Sequence, residues 1–277
     1  MRIFLTGGTG FIGSHYLDRM SGTPHRVTAV RRPGTLARAQ ALHQAEWLEK
    51  PLDALDESDM AGHDTLVHLA SAGVSPKPAT WQDLLYWNVS VSTRILETAH
   101  RAGIRRFVIA GSSAEYGQSA NEYEFIPVEA ALRPVSAYAA SKAAACILAT
   151  TFAGVSQVEL VYLRIFSAYG ERQYEQNFWP SLKAAALAGQ DFPMTPGEQV
   201  RDFIRVEDVA EAIAHATERT DVVPGVPRLV NVGSGIPVSM REFAQRCWSE
   251  WGARGRLLPG ALAYRPNEPM RFVPKIS

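Results

Sequence analysis

Tyr138 and Lys142 stand four residues apart in an alanine-rich stretch that begins at Ser136, so on a helix their phenol and ammonium share one face about one turn apart. A free phenol has a pKa of about 10 and is a poor acid or base at neutral pH. A neighbouring ammonium favours the phenolate, and the pairing therefore predicts a phenol drawn toward the working range and able to exchange a proton with a substrate oxygen. A polar cluster, Gly111-Ser112-Ser113-Ala114-Glu115-Tyr116-Gly117, follows the strand-like residues 106–110. A serine of that cluster, Ser112 or Ser113, would hydrogen-bond a carbonyl and fix it against the tyrosine. Such chemistry reduces a carbonyl only if a hydride donor lies beside it.

The N-terminus offers a seat for one. Thr6-Gly7-Gly8-Thr9-Gly10-Phe11-Ile12-Gly13 follows the apolar Ile3, Phe4 and Leu5 and leads into a helix-like segment. In a strand–turn–helix of this kind Gly7 permits the tight turn, Gly10 lets the backbone approach a pyrophosphate, and Gly13 lets the helix pack close to the strand. The phosphate charge then rests on free N–H groups and the positive end of the helix dipole. We assign Gly7, Thr9, Gly10, Phe11, Ile12 and Gly13 to cofactor binding. The second strand, residues 26–30, ends in Arg31-Arg32-Pro33-Gly34, where many NAD-binding folds place an acid for the adenosine ribose. Guanidinium forks suit a ribose phosphate, which favours NADP(H) over NAD(H). Leu52 and Asp53 follow a third strand near residues 45–48, where an adenine would lie. The nearly all-apolar run 64–70 reads as a buried parallel strand, and Leu69, Ala70 and Ser71 at its end leave room for the cofactor. His68 in that run reads as a packed residue.

The elements that must position these groups alternate. A helix-like stripe over 81–102 (Leu84, Leu85, Val91, Ile95, Leu96, Ala99) ends at Gly103, and residues 158–166 form a sixth strand. Strands and helices through about residue 170 predict a doubly wound parallel α/β sheet of Rossmann type. Beyond it the elements shorten: a helix over 178–188, a proline-broken loop over 191–197, strands at 201–205 and 229–232, and helices over 206–217 and 239–251. We expect a dinucleotide-binding domain of residues 1–170 plus roughly 199–232, and a smaller C-terminal substrate lobe of 171–198 and 233–277.

Composition bounds the partners. Lys plus Arg number 28, as do Asp plus Glu, so no global field recruits nucleic acid or a membrane surface. Two cysteines, Cys146 and Cys247, cannot build a disulfide framework, and neither has a metal-ligand spacing. The apolar N-terminal run is too short for a signal-peptide core and no run approaches a membrane span, so a cytoplasmic protein is expected.

The set Thr6 to Gly13, His68-Leu69-Ala70, Asn88-Val89, Ser112 to Gly117, Tyr138 to Lys142, Arg164 to Gly170, Arg201-Asp202-Phe203 and Arg265 to Glu268 resembles the extended short-chain dehydrogenase/reductase family of nucleotide-sugar epimerases, dehydratases and ketoreductases. The resemblance covers nearly the whole chain. It implies catalytic Ser112 (with Ser113 as the fallback and a substrate contact), Tyr138 and Lys142, a cofactor-side Asn88, and a homodimer built on a four-helix bundle. It further implies a nucleotide-diphosphate sugar held by Asn177, Phe178, Arg201, Arg265 and Glu268; two arginines suit a pyrophosphate. The chain stops at Ser277, ahead of the last helix or two of such proteins, which would leave part of the lobe wall absent or supplied by a partner.

Dehydratases of this family place an acid two residues after the catalytic Ser/Thr; here that residue is Ala114, and Glu115 is one step further along. What remains is hydride transfer, and the run 197–203 with 265–268 looks most like the 4-ketoreductases of nucleotide-linked 4-keto-6-deoxyhexoses. A 4-epimerase using the same residues with NAD, and a non-catalytic NADP-binding sensor or scaffold, are the alternatives.

Overall fold

A computed structural model describes residues 1–36, 45–74, 79–264 and 269–276. Seven parallel strands form the main sheet: β1 (Arg2–Thr6), β2 (Arg26–Arg31), β3 (Ala45–Glu49), β4 (Thr65–His68), β5 (Arg106–Ser112), β6 (Glu159–Ile165) and, far along the chain, β10 (Arg228–Val232). Their order in space is β10-β6-β5-β4-β1-β2-β3, the α/β Rossmann arrangement expected. Alternate residues of these apolar strands face opposite layers. Ile3, Leu5, Val67, Val108 and Val161 bury against α1 (Phe11–Met20) and α7 (Val206–Glu218). Phe4, Leu66, Phe107, Ile109 and Leu160 bury against α2 (Glu57–Met60), α4 (Ser92–Arg101) and α5 (Ala137–Ser156). Burial on both faces is why these strands read as continuous hydrophobic runs.

Between α3 (Trp81–Leu84) and α4 the backbone widens into a π-helical turn, Leu85–Val91. The 3.6-residue stripe is broken there: Leu85 is exposed and Asn88 turns inward. Such bulges re-aim side chains at functional sites. By length and composition α5 alone among the described residues could cross a membrane, contrary to the reading of the sequence. Yet it buries Ala139, Lys142, Ala143 and Cys146 within the domain.

Two small sheets of short strands lie outside the main one: β7 (Ser167–Tyr169), β9 (Val200–Arg205), β11 (Pro237–Ser239) and β13 (Arg271–Phe272) in one, β8 (Phe192–Met194) and β12 (Leu257–Pro259) in the other. With α6 (Phe178–Leu187) and α8 (Met240–Glu250) they enclose an aromatic core in which Phe203 stacks on Phe243 at 3.8 Å. The supposed loop over 191–197 thus contains a strand. Asp202 is fully buried, and its carboxylate accepts from the N–H groups of Ser234 (2.7 Å) and Gly235 (2.5 Å), pinning the turn between β10 and β11. Asp202→Ala orphans those donors and is expected to cost about 2–3 kcal/mol in urea unfolding. A loss below the error of the measurement would contradict this anchoring role.

Candidate active site

Ser112 ends β5 at the carboxyl edge of the sheet. Its Oγ caps a 3-10 turn, Ser113–Tyr116, by accepting from the Ala114 N–H at 3.2 Å. Ser136 caps α5 by accepting from the Ala139 N–H at 3.2 Å, which starts the helix two residues before Tyr138. The Ser112 and Ser71 side chains lie beside the Tyr138 hydroxyl, near enough to favour its phenolate. Lys142, one turn on and buried, donates from Nζ to the Ala110 carbonyl at 2.7 Å. Asn88 ties these pieces together: its Oδ1 accepts from the Ala72 N–H (2.7 Å) and Ser71 Oγ (3.1 Å), and its Nδ2 donates to the Ala72 carbonyl (3.1 Å) and Ser141 Oγ (3.0 Å). Asn88 therefore joins the Ser71–Ala72 corner to α5, the helix that carries Tyr138 and Lys142, beside Ser112 at the end of β5.

The electrostatics differ from the sequence expectation in one respect. Burial pushes the Tyr138 phenol up to about 12, Glu115 adding to the effect while the hydrogen bonds from Ser112 and Ser71 oppose it. Lys142 does not offset this burial; its ammonium donates to the Ala110 carbonyl. The phenol is thus a protonated donor at neutral pH. Lys142 itself is lowered by burial, with the charge of Glu115 opposing. His68 is lowered to about 3 by burial and the nearby Lys142 charge, and it hydrogen-bonds Thr6 and Ser92, as befits the packed role expected of it.

The glycine turn fits a dinucleotide. Gly7 has φ of +79°, and a Cβ there would lie 2.6 Å from the Ala70 nitrogen; one on Gly13 would overlap the Gly7 carbonyl. No side chain caps α1, whose N-cap is Gly10, so the N–H groups of its first turn, Phe11 to Gly13, carry no side-chain acceptor. Thr9 lies in that turn, and Leu69 and Ala70 back it. Leu52 opens a 3-10 turn directly after β3 and packs partly into the core. At the end of β2 Arg31 pairs with Glu49 at 3.0 Å and lies over Trp47, but its buried Nε finds no partner among the described residues; Arg32 is exposed. The orphaned donor is where an anionic group would bind.

The lobe residues are more dispersed. Phe178 belongs to the lobe core, edge-on to Phe192, and Asn177 precedes it as the N-cap of α6. Arg201 donates to the carbonyls of Val200 (3.0 Å) and Pro269 (2.9 Å) and lies over Phe272. Ser113 is half-buried at the start of its turn. Arg265 and Glu268 fall outside the described residues. No group of metal-ligating side chains occurs among the described residues.

Sequence reading passed over the residues behind Ser112. Glu115 is fully buried: Oε1 accepts from the Ser112 N–H (2.7 Å) and the Tyr162 hydroxyl (2.9 Å), while Oε2 accepts from Arg164 Nε (2.9 Å). An arginine inside the apolar strand 159–165 was the available signal, since a buried cation demands a partner.

A Rossmann sheet carrying a glycine cradle and a Ser–Tyr–Lys row at its carboxyl edge defines an oxidoreductase-type enzyme that uses a nicotinamide dinucleotide. The chain belongs to the NAD dependent epimerase/dehydratase family, whose model matches residues 3–233. It is 26% identical over 271 residues (89% of this chain, 79% of the other) to a UDP-glucose 4-epimerase from Corynebacterium glutamicum. It is 31% identical over 235 residues (78% and 72%) to a dTDP-glucose 4,6-dehydratase from Actinoplanes sp.. The solved structure of MoeE5 in complex with UDP-glucuronic acid and NAD is similar to it with a TM-score of 0.86 at 29% identity, covering 100% of this chain and 90% of that one.

Proposed function

We propose that the chain reduces the C4 keto group of a nucleotide-diphosphate-linked 4-keto-6-deoxyhexose with NADPH. The observation that carries this reading is the buried Tyr138 phenol, protonated at neutral pH, beside Ser112, with Ala114 where a dehydratase would need an acid. In this reading Ser112 Oγ–H holds the C4 oxygen and Tyr138 delivers a proton to it. The ammonium of Lys142, turning from the Ala110 carbonyl, orients the ribose hydroxyls and stabilises the phenolate left behind. The glycine turn and first-turn N–H groups of α1 hold the pyrophosphate, and Asn88 keeps the Ser71–Ala72 corner against α5. When bound, the reduced nicotinamide supplies the hydride. Asn177 and Phe178 serve the sugar nucleotide from the lobe of residues 171–198 and 233–277, and Ser113 and Arg201 from the dinucleotide-binding domain, with Arg265 and Glu268 assigned to the lobe on sequence alone. The deciding assay is NADPH oxidation across CDP-, GDP-, dTDP- and UDP-linked 4-keto sugars, with NADH alongside; no consumption with any of them would overturn the proposal.

A 4-epimerase acting through the same row is the second reading, favoured by the likeness to UDP-glucose 4-epimerases. NAD retained through purification, with no net cofactor consumption, would select it.

NADP(H) preference rests on Arg31 and Arg32. Arg31→Ala/Arg32→Ala is expected to lower kcat/KM for NADPH by about 10- to 100-fold, the loss of charge-assisted hydrogen bonds, while leaving NADH kinetics unchanged. An equal loss with both cofactors would argue against a phosphate site. We also propose a cytoplasmic homodimer joined through α5, whose outer face exposes Ile147, Leu148 and Val155. Ile147→Glu/Val155→Glu is expected to halve the mass seen by light scattering; an unchanged mass would remove this interface.

A further inference from the structure

Resting on the reading of Tyr138 as the proton donor, we propose that Glu115 is a positioning residue that fixes the Ser112 turn and, as the fixed negative charge behind the catalytic row, keeps Tyr138 in the form that gives a proton. An ordinary turn capped at a strand end needs no carboxylate at zero exposure. Here the Glu115 carboxylate makes three bonds that join two strands, β5 and β6, and one of them is to the backbone N–H of Ser112, whose side chain lies beside the phenol. The carboxylate thus reaches Tyr138 through a single residue, Ser112, and a negative charge at that position opposes formation of a second one on the phenol.

The surrounding charges do not supply this bias. On α5, Lys142 is engaged by the Ala110 carbonyl, and the Cys146 thiol is raised by burial and so stays neutral. On β4, His68 is neutral at working pH. On β6, the Tyr162 hydroxyl donates to Glu115, and Arg164 donates to Glu115, the Tyr116 hydroxyl (3.0 Å), the Val128 carbonyl (2.7 Å) and Cys146 Sγ (3.3 Å). Tyr116 donates in turn to Asn231 Oδ1 at 2.6 Å and is itself raised by burial. Only Glu115 presents a negative charge toward Ser112 and Tyr138 among the described residues. A reductase, which must start with the phenol protonated, gains from that charge; an enzyme that begins by withdrawing a proton from a sugar hydroxyl would be hindered by it.

The test needs no substrate. The full-length chain is labelled with tyrosine carrying 13C at the ring carbon bonded to oxygen, and Tyr138 is assigned among the 9 tyrosines by its absence in Tyr138→Phe. In the unaltered protein the Tyr138 signal is expected to remain that of a phenol to beyond pH ~10; in Glu115→Gln, which keeps the acceptor for Ser112 but not the charge, the phenolate is expected to appear about one pH unit earlier. Should Glu115→Gln fail to fold with Arg164 left uncompensated, Glu115→Gln/Arg164→Met removes both charges and is expected to shift the signal in the same direction. A Tyr138 midpoint unchanged in whichever of these variants folds overturns the proposal, because a purely structural Glu115 would leave it in place. If the midpoint moves but no 4-keto sugar is reduced, the substrate assignment falls and the role of Glu115 stands; the reverse outcome separates the two the other way.

Discussion

Tyr138→Phe is expected to lower kcat for reduction of the 4-keto sugar by about 10²–10⁴-fold, the usual contribution of a positioned general acid, while leaving cofactor affinity and the folded state intact. The hydroxyl sits at the junction of two serines at the carboxyl edge of the sheet, and no other acid in the network is protonated at neutral pH and aimed at the same point. Lys142 is expected not to take over, because in this reading its ammonium is engaged by the ribose hydroxyls. Removing the oxygen costs little packing, since the ring stays. Stopped-flow measurement of NADPH consumption under single-turnover conditions separates the chemical step from product release; turnover within tenfold of the unaltered enzyme would remove Tyr138 from the donor role.

Arg164→Leu has its effect on the fold. Arg164 is 3% exposed and Glu115 fully buried, so the substitution strands a carboxylate in the interior and also deprives the Tyr116 hydroxyl and Val128 carbonyl of a donor. Breaking one side of a buried pair costs about 3–5 kcal/mol. Urea unfolding followed by tryptophan fluorescence is expected to show a loss of that order with an unchanged slope. A loss below about 1 kcal/mol would mean that water reaches the pair and that the interior there is more polar than the burial indicates.

The placing of the proposed row and of the glycine turn was legible in the sequence because their parts are local. Tyr138 and Lys142 are joined by one helical turn, and Gly7 to Gly13 by one strand-to-helix corner, so spacing alone places them. The parallel sheet was legible from apolar runs, such as residues 64–70, that bury both faces. The Glu115–Arg164 pair was not legible in the same way, because its members are 49 residues apart and meet only when β5 and β6 align side by side in register. The fate of the Tyr138 phenol was misread for a related reason: spacing shows that Lys142 is near, whereas burial, which is tertiary, decides the direction of the shift. In the lobe, strands such as Phe192–Met194 and Arg271–Phe272 are too short to carry a period and are held by their partners rather than by their own pattern. The π-helical turn at Asn88 likewise left no trace in a stripe that matched an ordinary helix, yet it is what brings that amide to Ser71 and Ser141.

Transfer of deuterium from NADPH labelled at C4 of the nicotinamide to a 4-keto sugar nucleotide tests the central claim most directly. Net reduction predicts a product carrying the label at sugar C4, formed one for one with NADP+ and lost in Tyr138→Phe. Interconversion of C4 epimers with the label retained on tightly bound cofactor, and no NADP+ released, would contradict it.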